Sequence, residues 1–391
     1  MVRSGCGALH LAFQIIGRKS VTKTSIGYGI VGCGMMGREH IRNIALLPDA
    51  HVAAIFEPDS EMLGAALALA PDARPAASVA ELLAMNEVDC VLIASPNHHH
   101  LAQLEEIAER RPLPVLVEKP LFTDVADAGR IAALKARLPF VWVAMEYRYM
   151  PPVAAFLKQA SDATGGIRML TLREHRFPFL TKVGDWNRFN RNTGGTFVEK
   201  CCHFFDLMRL ILKSDPVRVT ASAGQAVNHL DERYGGETPD ILDHGYVLVD
   251  FVSGARAMLE LCMFAEGSRY QEELCAVGGN GKIECLVPGP GRFWPAHLGS
   301  APVPQLIVSP RNPPRPQLLE IPVEPQLLEA GDHNGSTYFE HARFVAAVRG
   351  QGKVEVTLQD GWWAVVMGLA AEISARQGRA IDLASEFALP T

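Results

Sequence analysis

A glutamate and a histidine four residues apart, Glu199 and His203, close the stretch GGTFVEKCCH that begins at Gly194. Two glycines open an apparent helix that runs to about Leu212, and on one helix residues i and i+4 share a face. A histidine titrates near neutral pH and can take a hydroxyl proton. A glutamate one turn away can orient it or help hold a substrate. The same spacing also describes a local helix pair, or a core histidine with a satisfied hydrogen bond. A second candidate is Lys119, in Glu118–Lys119–Pro120 after an apolar run. An ammonium there can reach into a cleft and steady an oxygen that gains negative charge, although most lysines are solvated surface groups.

A dinucleotide would supply the redox partner for such chemistry, and two overlapping G-x-G-x-x-G matches occur: Gly27, Gly29, Gly32 and Gly32, Gly34, Gly37. The fingerprint needs a strand before it and a helix after it. Only the second register leaves Ile26–Val31 as that strand, with the helix from Arg38 onward. Gly32 then makes the tight turn, Gly34 admits the pyrophosphate and Gly37 lets helix and strand pack closely. Glu57 follows the next apolar run, twenty residues past Gly37, where a carboxylate can hold a ribose 2′-hydroxyl and repel a 2′-phosphate. NAD is therefore expected over NADP.

Three consecutive histidines, His98–His100, invite a metal reading. Adjacent side chains point in different directions, so a helix start is the better reading and no metal is expected. None of the eight cysteines forms a C-x-x-C pair, which removes zinc-ribbon spacing and fits reduced thiols in a cytoplasmic protein.

The elements that must position these groups alternate. Apolar runs at Ile26–Val31, Val52–Phe56, Val88–Ala94, Val115–Val117 and Phe140–Met145 read as strands, separated mostly by helical stretches. That is the pattern of a doubly wound parallel sheet, whose ligands sit at the strand carboxyl ends. Residues 25–146 are thus expected to form a Rossmann domain. Residues 147–391 change character. Hairpin signals at Ser253–Gly254 and Gly278–Gly281 predict an α+β domain with a large, mostly antiparallel open sheet. Residues 287–327 are Pro-rich and read as a long surface excursion, and a helix is expected from about Leu358 to Gln377. Residues 1–24 lack acids and carry Arg3, Arg18, Lys19 and Lys23. They read as an extension, either disordered or a mitochondrial presequence.

A net charge of −6 with no basic stripe argues against nucleic acid, and no stretch is long and apolar enough to span a bilayer.

Four elements in order, GCGMMG, SPN at Ser95, EKP at Glu118 and GGTFVEKCCHFFD, resemble the Gfo/Idh/MocA family of oxidoreductases. The resemblance implies an N-terminal Rossmann domain and a C-terminal domain whose sheet forms a homodimer or homotetramer. It implies hydride transfer at a hydroxyl or carbonyl of a sugar, an inositol-like polyol or a related ring. Lys119 and His203 match the family's catalytic lysine and histidine. Glu199 stands where the family has Asp, one methylene longer, and puts the substrate geometry in question. Cofactor contacts are expected at Gly32, Gly34, Met35, Met36, Gly37, Glu57, Ser95, Asn97, Glu118 and Lys119. Substrate contacts are expected at Lys119, Arg148, Tyr149, His175, Trp186, Glu199 and His203, with Tyr147, Arg176, Asp185 and Asn187 as further candidates. Two alternatives share the family: an NAD-dependent glycoside hydrolase and a non-catalytic sugar sensor.

Overall fold

The computed structural model describes residues 25–387. The N-terminal extension therefore lies outside the described residues. The first domain runs β1 (Ile26–Val31), α1 (Met35–Ile44), β2 (Ala50–Phe56), α2 (Ser60–Leu69), β3 (Arg74–Ala76), α3 (Val79–Ala84), β4 (Cys90–Ile93), α4 (His100–Arg110), β5 (Val115–Glu118), α5 (Ala128–Leu134) and β6 (Val141–Ala144). The strands form one parallel sheet in the order β3-β2-β1-β4-β5-β6. β1, β4, β5 and β6 are buried along their whole length. That is why they read as continuous apolar runs and not as alternation. β3 escapes the sequence pattern because it is three residues long and carries Pro75 at a sheet edge.

The order reverses between β1 and β4. A cleft opens there at the strand carboxyl ends, the usual ligand position of such sheets. It faces the second domain: α6 (Pro151–Thr164), β7 (Ile167–His175), α7 (Asn190–Thr193), α8 (Thr196–Glu199), α9 (Cys202–Leu212), β8 (Pro216–Gly224), β9 (His244–Phe251), β10 (Arg256–Cys262), β11 (Glu272–Gly278), β12 (Gly281–Val287), β13 (Gln305–Pro310), β14 (Gln317–Glu320), α10 (Pro325–Ala330), α11 (Ser336–Val348), α12 (Leu358–Gln377) and β15 (Ile381–Asp382). Its nine strands follow the order β14-β13-β12-β11-β7-β10-β9-β8-β15, antiparallel except for β7 beside β10. The Pro-rich stretch 287–327 is not a plain surface excursion. It supplies β13, which pairs with β12, and β14 at the sheet edge. The prolines punctuate these strands and mask their period.

α12 begins at a capping box, Thr357 with Asp360, and ends at Gly378 in the left-handed conformation. Its middle is buried all round, from Gly361 to Glu372. It packs against β6 of the first sheet and against β8 and α9 of the second domain. One buried helix thereby fixes how the two halves of the site face each other.

Candidate active site

The glycine loop turns at Gly32, whose φ of +91° lies in the left-handed region; a Cβ there would sit 2.5 Å from Ser95 N. Only glycine fits that position. Gly37 lies under the loop, where a Cβ would run into the Gly32 carbonyl. Gly34 is different: a Cβ added to it meets nothing within 4 Å. It is open to the cleft, as a backbone approached by a pyrophosphate should be. The helix starts at Met35, directly after Gly34, and not at Arg38 as the sequence suggests. Its free N–H groups therefore lie closer to the loop, a ready anion site. Glu57 caps the arrangement: its Oε2 accepts from Cys33 N at 2.6 Å and its Oε1 from Asp59 N at 3.0 Å.

Gly32, Gly34, Met35 and Glu57 line a cleft of about 550 Å³ together with Met36, Ser95, Asn97, Glu118, Lys119 and Trp186; Gly37, expected among the cofactor contacts, packs beneath the loop and does not line it. The geometry suits a dinucleotide: an open glycine at a helix start, a carboxylate at the end of β2 and polar groups at the ends of β4 and β5. The cleft adjoins a smaller cavity of about 90 Å³, and Met35, Met36, Lys119, Lys182 and Glu199 line both. The smaller cavity holds His203 and Tyr147. The structure thus brings Lys119, from the Rossmann sheet, and His203, from the second domain, into one cavity.

Lys119 Nζ donates to the Glu199 carbonyl oxygen at 3.1 Å. Burial works against its charge, but Glu199, Cys202 and Glu118 outweigh it and raise its pKa. It stays a cation. His203 is the opposite case. Burial, then Lys119, Lys200, His333 and Arg176, push its pKa well below the ordinary 6.5. It is a neutral imidazole, able to accept a proton. Its Nδ1 is buried without a hydrogen-bonding partner among the described residues.

Glu199 does not orient His203. The helix predicted through both breaks between α8 and α9, at Lys200–Cys201. The Glu199 carboxylate turns to Asn97 Nδ2 and to Lys182 Nζ, the latter at 3.3 Å. Burial would raise its pKa, yet Lys182, Lys119 and Asn97 hold it at about 2. It ties the two domains together at the boundary between cleft and cavity.

Three expected substrate contacts are corrected by the structure. Arg148 faces away, its guanidinium gripping the Asp206 carboxylate (Nε to Oδ2 2.6 Å) and donating to the Glu355 carbonyl. Tyr149 packs against Trp142. His175 Nε2 lies 3.0 Å from Glu260 Oε1 across the β7–β10 pair. Neither cavity is lined by any of the three. Trp186 does line the cleft, with Lys182 Nζ 4.5 Å above its ring.

Sequence reasoning passed over several groups that the fold brings to the cavity: Lys182, Lys200, Glu39, Glu146 and His333. Lys200 has a usable signal, a lysine beside Glu199 between the apolar pairs Phe197–Val198 and Cys201–Cys202. It is buried, bonding Glu174 Oε1 at 2.9 Å and Tyr147 Oη at 2.7 Å.

The oxidoreductase-family model of the NAD-binding Rossmann fold matches residues 26–145, and that of the C-terminal α/β domain matches residues 161–383. The chain belongs to the Gfo/Idh/MocA oxidoreductase family. Among curated relatives it is similar to the inositol 2-dehydrogenase of Corynebacterium glutamicum (strain R), at 32% identity over 198 residues. That match takes in 50% of this chain and 56% of the relative, so the chain spans about half of that relative's length. Among solved structures, an oxidoreductase from Agrobacterium radiobacter in complex with NAD+, L-tartaric acid and magnesium superposes with a TM-score of 0.76 at 19% identity, over 93% of this chain and 99% of that one. A myo-inositol dehydrogenase from Corynebacterium glutamicum ATCC 13032 superposes with a TM-score of 0.69 at 22% identity, over 92% and 99%. At these identities the structural likeness shows the shared Gfo/Idh/MocA fold. No helix among the described residues is long and apolar enough to cross a membrane.

Proposed function

We propose that this chain is an NAD-dependent dehydrogenase or reductase acting on a CH–OH group of a polyol or sugar, with an inositol-like ring as the first substrate to try. One observation carries the reading: a cationic Lys119 and a neutral His203 line one cavity, and that cavity opens onto the dinucleotide cleft. The curated relatives named as inositol 2-dehydrogenases support the polyol class.

Bound nicotinamide supplies the hydride acceptor. His203 removes the hydroxyl proton of the substrate. Lys119 donates to the same oxygen and stabilises the negative charge that builds on it. Glu199 holds Lys182 and, through its carbonyl, Lys119, which sets where the ammonium points. Glu57, fixed by two backbone N–H groups, favours a ribose diol and repels a 2′-phosphate, so NAD is the cofactor.

The free thiols of the described cysteines fit a reducing, cytoplasmic setting. Met169, Tyr246 and Leu248 are exposed on strands β7 and β9 of the nine-stranded sheet and support self-association through its open face.

The test is formation of reduced nicotinamide, followed by absorbance, with NAD+ or NADP+ and a panel of polyols and sugars that includes myo-inositol. Reduction of NAD+ in preference to NADP+ is expected. Reduction of NADP+ alone would overturn the assignment of Glu57.

A further inference from the structure

The cavity that holds Lys119 and His203 has a second histidine in its wall. His333 lies in the turn between α10 and α11 and lines the same cavity. Its Nδ1 is committed, 2.8 Å from Glu39 Oε1 and 3.4 Å from Glu146 Oε1. Thr337 Oγ1 sits 2.7 Å from Glu146 Oε2 and 3.1 Å from Glu39 Oε1, and Asp332 N donates to Glu39 Oε2 at 3.4 Å. Both carboxylates are thereby anchored behind the ring. The exposures show the layering: the His333 side chain keeps 22% of its surface, those of Glu39 and Glu146 only 5% and 3%. Nε2 has no hydrogen-bonding partner among the described residues and is the nitrogen left for a ligand.

The three groups come from three separate parts of the chain. Glu39 is on α1, directly behind the glycine loop; Glu146 is at the domain junction; His333 belongs to the second domain. Burying two carboxylates against one imidazole costs desolvation that an apolar contact would avoid. A histidine oriented by carboxylates on the wall of a ligand cavity is the arrangement of a working acid or base.

We propose that His333 is a second substrate-contacting acid of this cavity: held by Glu39 and Glu146, it presents Nε2–H to a substrate oxygen other than the one Lys119 and His203 share. The inference rests on the oxidoreductase reading above and narrows its substrate to one with a second oxygen close to the reacting carbinol, such as a vicinal diol.

The charges around the ring agree with that role. Burial alone would lower its pKa, but Glu146 and Glu39 raise it to about 9, against the opposing charge of Lys200. Glu146 is itself pushed up, by burial and by Glu39 and Glu118, while His40 also faces Glu39. Asp332, with its partner Arg292, and the ring of Tyr147, 6.2 Å between centroids, lie beside the imidazole. His203, across the cavity, is pushed the other way. One histidine is thus set to accept a proton and the other to donate one, the separation expected of an acid–base pair.

The experiment follows kcat/KM for myo-inositol with NAD+ from about pH 6 to about pH 10, in the full chain and in His333→Gln and Glu39→Gln. The wild-type value should fall as pH rises through about 9. His333→Gln should lose about ten- to a hundredfold in kcat/KM together with that alkaline limb, with the KM for NAD+ unchanged. Glu39→Gln removes a carboxylate and should move the limb to lower pH. An unaltered kcat/KM and limb in His333→Gln overturns the proposal. So does activity that a chelator removes and zinc restores, which would make the three side chains ligands of an ion. Failure of myo-inositol to reduce NAD+ would strike the polyol reading instead. In that case His333 is judged by its ring resonance in the NAD-loaded protein, assigned by its loss in His333→Gln. A titration midpoint near 9 supports the role, and one at or below 6.5 overturns it.

Discussion

The imidazole of His203 lies flat on the phenol ring of Tyr147, with ring centroids 4.1 Å apart and planes 3° from parallel. Tyr147 is in turn fixed by Lys200 Nζ, 2.7 Å from its hydroxyl. Orientation of His203 therefore comes from an aromatic stack on Tyr147, the first residue after the Rossmann domain, and not from the glutamate one turn before it.

Replacing the base tests its role directly. His203→Ala should lower kcat by about 10²–10⁴-fold, the usual value of positioned acid–base help. NAD affinity, measured by fluorescence titration, should stay near the wild-type value, because His203 does not line the dinucleotide cleft. Unchanged turnover would remove His203 from the reaction.

The same histidine sets a pH limb. Its neutral form is the reactive one, and its pKa lies well below 6.5, so wild-type activity should persist below neutral pH. Lys200 is one of the cations that lower it. Lys200→Met, combined with Glu174→Gln so that no buried carboxylate is left alone, should raise the pKa and shift the acid limb of kcat/KM upward. A limb that stays in place would show that Lys200 does not act on His203.

Two glycines of one loop should respond differently. Gly32→Ala places a Cβ against Ser95 N at a φ of +91°, so stability and NAD binding should both fall. Gly34→Ala meets no protein atom within 4 Å. It should weaken NAD binding while leaving the thermal midpoint near wild type. Equal thermal losses in the two variants would contradict the placement of Gly34 at the cofactor.

Arg148 is a structural residue by its geometry, with side-chain exposures of 8% for itself and 1% for its partner Asp206. Arg148→Met leaves that carboxylate unpaired and should cost about 3–5 kcal/mol in urea unfolding. In the folded fraction, the KM for a polyol should stay within about twofold, since no contact with the ligand is removed. A large rise in KM at unchanged stability would restore Arg148 to the substrate site.

How much of this was legible depended on range. The Rossmann half could be read because β1, β4, β5 and β6 are buried on both faces and appear as unbroken apolar runs. The register of the glycine loop followed from the strand before it. Lys119 and His203 carried local motifs. The partners of His203 did not: Tyr147 and Lys200 meet it only through folding, and a helix break at Lys200–Cys201 overrides the simple i, i+4 rule. Glu39 and His333 lie 294 residues apart in sequence and bond at 2.8 Å. No local pattern announces a pair of that separation. Arg148 and Tyr149 were misplaced because position after a strand end says where the backbone goes, not which way a side chain turns.

The most direct measurement uses myo-inositol deuterated at its carbinol carbons, incubated with the protein and NAD+, with the nicotinamide then analysed by mass spectrometry and proton NMR. Transfer of one deuterium to C4 of the nicotinamide ring, lost in His203→Ala and Lys119→Met, is the predicted result. Conversion of the polyol with no deuterium in the nicotinamide would contradict hydride transfer at this site.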